Sequence, residues 1–297
     1  MKYTAKKRKF LPGRFMQDVS AWVLIAPALC ALMLICWRPI FLGFKMAFFD
    51  NDGLKYVGLD NFKLVVSDVL FIKALKNTTL YVVWSLIIGM GLPVVVALLM
   101  NELIHATSLI KSSLYLPQIV PVIAVSLLWY FVYLPDGSGL LNSILGLFGL
   151  SPRVWLQDAR LTIPLIIISM TWRGFGFTSI LYLASLQGIN RELYEAAAID
   201  GAGFLRRTVK ITIPHMYPMI MLFGINQIKS IFNIMVEPLS MTGGGPDNAS
   251  LSLGLQSYRY AFQYFRMGES VALSIVMWFI IMGVTVIYIY ADKKLEQ

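Results

Sequence analysis

The stretch Glu192–Pro214 reads ELYEAAAIDGAGFLRRTVKITIP. It sets Glu192, Glu195, Asp200, Arg206, Arg207 and Lys210 around Gly201 and Gly203, between two long apolar runs. Asn190 can cap a helix start by accepting from a backbone N–H. Arg191–Ile199 is built of good helix formers, Ala196, Ala197 and Ala198 among them. Gly201 or Gly203 can end that helix, because glycine adopts the left-handed cap without a Cβ penalty. Phe204–Ile211 can form a second short helix, and Pro214 suits the first turn of the next element. The segment is therefore predicted to fold as a helix–turn–helix elbow. Three consecutive alanines leave a smooth face that another protein's backbone can approach closely. Glu195, Arg206 and Arg207 add directional charge around it. An ordinary solvated loop needs neither the alanine face nor the apolar Phe204–Leu205 pair.

Outward from the elbow the chain is apolar. Of its 297 residues 58% are hydrophobic and 14% charged, with a mean hydropathy of +0.70. Soluble domains are about half apolar and about a quarter charged. A run of ~20 apolar residues crosses a bilayer as a helix. Six runs qualify: Val19–Phe44, Thr78–Met100, Ser113–Tyr133, Leu161–Gln187, Met216–Val236 and Gly268–Ala291. The first follows Lys6, Lys7, Arg8 and Lys9 but exceeds the apolar core of a signal peptide. Leu29 before Cys30 is too bulky for a lipoprotein cleavage site, so this run reads as an uncleaved anchor.

Lys and Arg concentrate on the cytoplasmic side of membrane proteins. Placing Lys2, Lys6, Lys7, Arg8, Lys9 and Arg14 inside also places Arg191, Arg206, Arg207, Lys210, Lys293 and Lys294 inside. The elbow and both termini are then expected to be cytoplasmic. The net charge of +9 follows from this topology; with no aromatic–basic RNA-binding motif, no nucleic acid is expected. The external segment Lys45–Asn77 balances its lysines with Asp50, Asp52, Asp60 and Asp68. In it Phe62, Val65, Val66, Val69, Leu70 and Lys73 recur at helical spacing. Cys30 and Cys36 sit about 9 Å apart along a helix axis, too far for a disulfide, and are expected to be packed thiols. His105 and His215 lack a ligand pattern, so no metal site is expected. The triplet TIP at Thr162–Pro164 and Thr212–Pro214 is expected to cap two span starts.

Read as a string, the elbow gives Glu195-Ala196-Ala197, three residues, Gly201, nine residues, Ile211, one residue, Ile213, Pro214. This closely resembles the EAA signature of bacterial ABC importer permeases, with Ile213 in place of Leu as the one departure. GLDNF at Gly58–Phe62, ALKNT at Ala74–Thr78, LPQIVP at Leu116–Pro121 with Trp129, and TGGGP at Thr242–Pro246 resemble the sugar and glycerol-phosphate branch. The resemblance implies an all-α membrane fold of the type I importer (MetI-like) kind, with six transmembrane helices. It divides the chain into a basic tail, anchor and external segment over 1–74, a five-helix permease domain over 75–291 with the elbow at 189–214, and a tail over 292–297.

It further implies a multi-pass, non-catalytic subunit of the bacterial cytoplasmic membrane. Such a subunit takes a sugar or sugar-like solute from an extracellular or lipid-anchored binding protein. A second homologous permease and two ABC ATPase subunits, which hold ATP and magnesium, would complete the assembly. The phosphate-binding string G-x-x-x-x-G-K-[ST] does not occur in this chain, so no cofactor is expected here. By the same resemblance Glu195, Ala196, Ala197, Asp200, Gly201, Gly203, Arg206, Ile211 and Pro214 form the ATPase-coupling surface. Glu195 would pair with a basic group, Ala196 and Ala197 would make the close contact, and Gly201 would allow the turn.

Polar side chains inside a span are costly and face a partner or a watery cavity. Asn226, Lys229, Ser230 and Asn233 occupy i, i+3, i+4 and i+7, one helical face, with Gln227 beside it. Trp172, Arg173, Gly174, Phe177 and Tyr182 mark the fourth span. Rings that meet flat C–H faces and amides that meet hydroxyls suit a sugar path. The same residues could instead bond helices together, and Lys229 and Arg173 could touch an anionic solute or pair with acids of a partner. Gly243, Gly244, Gly245 and Pro246 read either as a flexible external turn or as part of the region that meets a binding protein. An ion-gradient-driven secondary transporter is the alternative; it would need acids within spans, whereas here they fall in loops or near span ends. A membrane enzyme would need a carboxylate pair, metal cluster or nucleophile–base pattern, and none is recognisable.

Overall fold

In lipid every backbone polar group must be satisfied within its own segment, and the apolar runs form helices accordingly. The computed structural model describes residues 12–102 and 108–295. Lys2, Lys6, Lys7, Arg8, Lys9 and His105 lie outside the described residues, as do the side chains of Arg14, Lys293 and Lys294. Four helices are individually long and apolar enough to cross a membrane: Ala21–Met46, Val69–Asn101, Thr162–Leu186 and Met267–Tyr290. The span expected to be continuous over Ser113–Tyr133 is bent instead, and the one expected to end at Val236 turns there into a further short helix. Leu109–Ile119 meets Val122–Val132 at 95°, and Phe204–Phe232 meets Val236–Thr242 at 51°. Counted as single elements, these pairs bring the membrane-length elements to six.

The 95° break has a local cause and a distant remedy. The residue before a proline is pushed out of the helical region, so the chain leaves the helix at Ile119 and re-enters it after Pro121. The carbonyls freed there are met by Arg173 of the Thr162–Leu186 helix. Its Nε donates to Val120 O at 3.1 Å and its Nη2 to Gln118 O at 3.4 Å. Gly176, one turn further on, lets the two elements cross. A Cβ there would lie 1.8 Å from Leu114 O. The Thr162–Leu186 helix is the hub of the fold, 44% buried over its apolar window, whereas the Ala21–Met46 helix is 0% buried and peripheral. Cys30 and Cys36 are on that peripheral helix and are exposed rather than packed.

The external helix predicted through Phe62–Lys73 is two helices. Asp68 leaves the helical region and caps the second, accepting from Leu70 N at 2.8 Å. The first, Asp60–Ser67, is held by buried Asn61, whose amide donates to Ala47 O at 2.9 Å and Phe49 O at 2.7 Å. The second TIP does not start a span either. The helix runs from Phe204 through Pro214 without a break, because Thr208–Thr212 forms a wider π turn in which Ile213 N bonds Thr208 O. A proline lacks the N–H and crowds the carbonyl four residues back, and the widened turn accommodates both. The first TIP does open its helix at Thr162.

Three apolar clusters hold the helices together. One gathers Val65, Phe71, Leu251, Leu253, Leu255 and Leu273. A second joins Tyr81, Tyr133, Ile166, Ile231 and Met241. The third, Ala97, Tyr182, Leu186, Ile189 and Met216, packs against Tyr194 and Ile211 of the elbow.

Candidate functional site

The first helix and turn of the elbow form as the sequence dictates, whereas the second short helix expected over Phe204–Ile211 is the opening of the continuous Phe204–Phe232 helix. Asn190 caps the Arg191–Ile199 helix, accepting from Glu192 N at 3.1 Å. Gly201, at φ +74°, closes the far end. Gly201 N bonds Ala198 O at 3.0 Å and Ala202 N bonds Ala197 O at 2.8 Å, the paired closure of a left-handed glycine cap. Tyr194 and Ile211 point inward onto the third apolar cluster. The Tyr194 hydroxyl lies 3.0 Å from Thr212 Oγ1, tying the elbow to the base of the following helix. The opposite face is open. Glu195, Ala196, Ala198, Asp200, Gly203 and Arg206 are exposed, Ala197 is half-buried, and Ile199 and Leu205 are 87% and 76% exposed. Among the described residues, the side chains of Glu195, Asp200 and Arg206 have no ion-pair or hydrogen-bond partner.

Further along the same helix an open pocket of about 530 Å³ is lined by Asn226, Lys229, Ser230, Asn233 and Glu237, with Val122, Met170 and Ile234–Val236 completing its wall. A smaller one of about 110 Å³ shares Met170 and Ser230 and adds Gly89, Thr171, Gly174, Thr178 and Gln227. The Asn226 and Asn233 amides donate back to their own helix, to Leu222 O at 3.0 Å and Lys229 O at 2.9 Å. They do not bond helix to helix. Their carbonyl oxygens remain available to the pocket.

The glycine run is an anchored loop. Gly243 and Gly244 take φ +58° and +89°. Arg259 donates to Gly243 O at 2.5 Å and Asn248 Oδ1 at 3.3 Å. Ser250 Oγ donates to Gly245 O at 2.8 Å. From the Val69–Asn101 helix, Lys73 reaches Asp247 O, Asn77 donates to Asn248 O at 2.8 Å and Leu251 O at 2.9 Å, and Tyr81 OH donates to Ser250 O at 3.1 Å. Pro246 and Gly245 border a separate hollow of about 420 Å³ with Tyr130, Tyr133 and Gln157.

Residues 106–297 match the family model for the binding-protein-dependent transport system inner membrane component. The chain belongs to this family. Relatives of the permease include the lactose transport system permease protein LacF of Rhizobium radiobacter, 31% identical, with 93% of this chain and 96% of LacF covered. The multiple sugar-binding transport system permease protein MsmF of Streptococcus mutans is 30% identical over 93% and 96% of the two chains. Among solved structures, a chain of a bacterial ABC transporter that imports the acidic polysaccharide alginate superposes with a TM-score of 0.82. It is 25% identical and covers 96% of the permease and 100% of its own chain. The permease is thus a membrane-embedded, non-catalytic translocation subunit of an ABC importer.

Two of the expected path residues sit elsewhere in the permease. Trp172 packs edge-on against Trp129, with ring centroids 6.0 Å apart, and Phe177 against Tyr115 at 5.9 Å. Both belong to the contact between the Thr162–Leu186 helix and the broken pair, and neither lines the two pockets. Gly174 does border the smaller one. Glu237 and Thr171 line the pockets without having been picked out from sequence. Glu237 lies past the bend, where the span had been expected to end. The hydroxyl of Thr171 gives little contrast in an apolar run.

Proposed function

We propose that the permease carries a sugar or sugar-like solute across the bacterial cytoplasmic membrane, and that the elbow at 189–214 couples it to ATP hydrolysis on a separate subunit. The carrying observation is an elbow that is fixed at its base by Tyr194 and Ile211 and open on its outer face, with Glu195, Asp200 and Arg206 unpartnered. Such a face suits a cleft on an ABC ATPase, two copies of which would bind ATP and magnesium. Closure of the ATPase pair would carry the elbow as a rigid body. The Phe204–Phe232 helix joins the elbow directly to the Asn226–Asn233 face, so a displacement at one end reaches the pocket at the other. Rocking of packed bundles around a fixed site is the general form of alternating access.

In this reading six elements cross the membrane, both termini and the elbow are cytoplasmic, and a second homologous permease supplies the other half of the path. The names of LacF and MsmF support a carbohydrate. A binding-protein partner is supported by a solved alginate transporter in complex with a periplasmic protein bound to alginate pentasaccharide, with a TM-score of 0.82. The anchored glycine loop is a stiff surface suited to such a partner.

The test is uptake of labelled sugars by cells carrying Glu195→Lys. The variant is expected in the membrane at normal level, with uptake reduced at least about tenfold, the effect of losing one charge-assisted contact, and with the ATPase no longer co-purifying. Normal uptake would remove the elbow from coupling. Asn226→Leu, by contrast, is expected to change solute preference while the ATPase still co-purifies.

A further inference from the structure

We propose that the larger pocket selects a solute bearing an anionic group, a carboxylate, sulfonate or phosphate on a polyhydroxylated body, and that Lys229 recognises that group. The inference rests on the pocket being the solute path. Two charged side chains line it, Lys229 and Glu237. Burial is the larger influence on Glu237, with the opposite charge of Arg173 acting against it, and the Arg173 guanidinium is fixed on the carbonyls of the broken helix pair. Lys229 has no such counterpart. Among the described residues the ion pairs are Lys63–Asp60 and Arg266–Glu269, and the Lys229 ammonium makes no hydrogen bond. The two cations against one carboxylate leave the pocket region with an excess of positive charge.

An ionisable side chain within a span is expensive unless something pairs with it. The negative end of the Phe204–Phe232 helix favours a cation three residues before its close, but by only about 0.3–1 kcal/mol at an exposed site. The surrounding wall offers mainly acceptors. Asn226 and Asn233 spend an N–H on their own backbone and present their carbonyl oxygens. Sugar hydroxyls can donate to those oxygens. They cannot neutralise an ammonium, whereas one anionic substituent can.

The experiment uses the whole importer complex in phosphatidylcholine nanodiscs, so that no anionic lipid competes. Equilibrium binding is measured for labelled trigalacturonate, glucose 6-phosphate and maltotriose. With the wild type, at least one anionic probe is expected to bind about tenfold tighter than maltotriose, the scale of a hydrogen bond to a charged group. The tighter of the two distinguishes carboxylate from phosphate. Lys229→Met is expected to abolish that preference, and Lys229→Arg to retain it. If Lys229→Met does not assemble, Lys229→Gln takes its place. Maltotriose binding tightest to the wild type, or an anionic preference that survives loss of Lys229, would overturn the proposal and leave the lysine as a helix-end cation. Asn226→Leu separates the two levels. If it weakens maltotriose while loss of Lys229 changes nothing, only the charge selection fails. If it weakens no probe, or no probe binds, the pocket is not the path and both fall.

Discussion

At Gly201 and at Gly243 a helix ends in a left-handed glycine, with φ of +74° and +58°, yet the residues that flank the two turns are bound differently. Around both glycines a Cβ would meet nothing within 4 Å, but beside Gly201 the charges Glu195, Asp200 and Arg206 have no partner among the described residues. Beyond Gly243, the next residue Gly244 is buried against Arg259, and the loop carbonyls are taken by Lys73, Asn77, Tyr81 and Arg259. The same turn chemistry thus yields a handle with free charges in one place and a loop anchored by its own chain in the other. A cap satisfies only the end of its own helix. How firmly the turn is held depends on what the rest of the chain does with the residues beside it.

This contrast can be broken by substitution, with thermal stability of the purified permease as the measure. Asn77→Leu strips two loop carbonyls of their donor and is expected to cost about 3 kcal/mol, at about 1–3 kcal/mol per unsatisfied buried group. Gly244→Ala forces a left-handed side chain and places a Cβ 2.8 Å from Arg259 Nη2, displacing the clamp. The expected loss is about 2–3 kcal/mol, from about 1–2 for the backbone and about 1 for the hydrogen bond. Gly201→Ala carries only the backbone penalty, about 1 kcal/mol. A cost at Gly201 equal to that at Gly244 would erase the distinction between open and anchored turns. Smallest is Tyr194→Phe, expected to cost about 0.5–1.5 kcal/mol for the lost bond to Thr212. It should also lower uptake more than its effect on melting temperature would suggest, because it loosens the base of the handle. Equal, proportionate losses in both measurements would make that bond merely structural.

The first helix and turn of the elbow were legible in the sequence down to their capping residues because their contacts are local. Asn190 caps two residues ahead and Gly201 closes on Ala197 and Ala198. The polar face of the Phe204–Phe232 helix was legible for the same reason, since periodicity alone places Asn226, Lys229, Ser230 and Asn233 together. The breaks were not. Pro121 is plain to see, but an X-Pro step within an apolar run does not disclose whether the chain kinks slightly or turns through 95°. That depends on Arg173, 53 residues away, supplying donors for Val120. Asn77 is likewise 174 residues from Leu251. The motifs GLDNF and ALKNT carry the resemblance, but their work is holding loops: Asn61 closes one and Asn77 and Thr78 the other. Trp172 and Phe177 were assigned by residue type, and type does not specify which side of a helix faces a cavity.

The π turn at Thr208–Thr212 sets the rotational phase between the two ends of one shaft. An inserted residue turns everything beyond it by about 100° around the axis, one step of a 3.6-residue helix. The direction in which Asn226 and Lys229 point is therefore not fixed by the elbow alone but by the elbow plus this single surplus residue. Deleting one residue between Thr208 and Thr212 would straighten the winding, crowd Pro214, and swing the polar face away from its pocket while leaving every side chain of that face in the sequence.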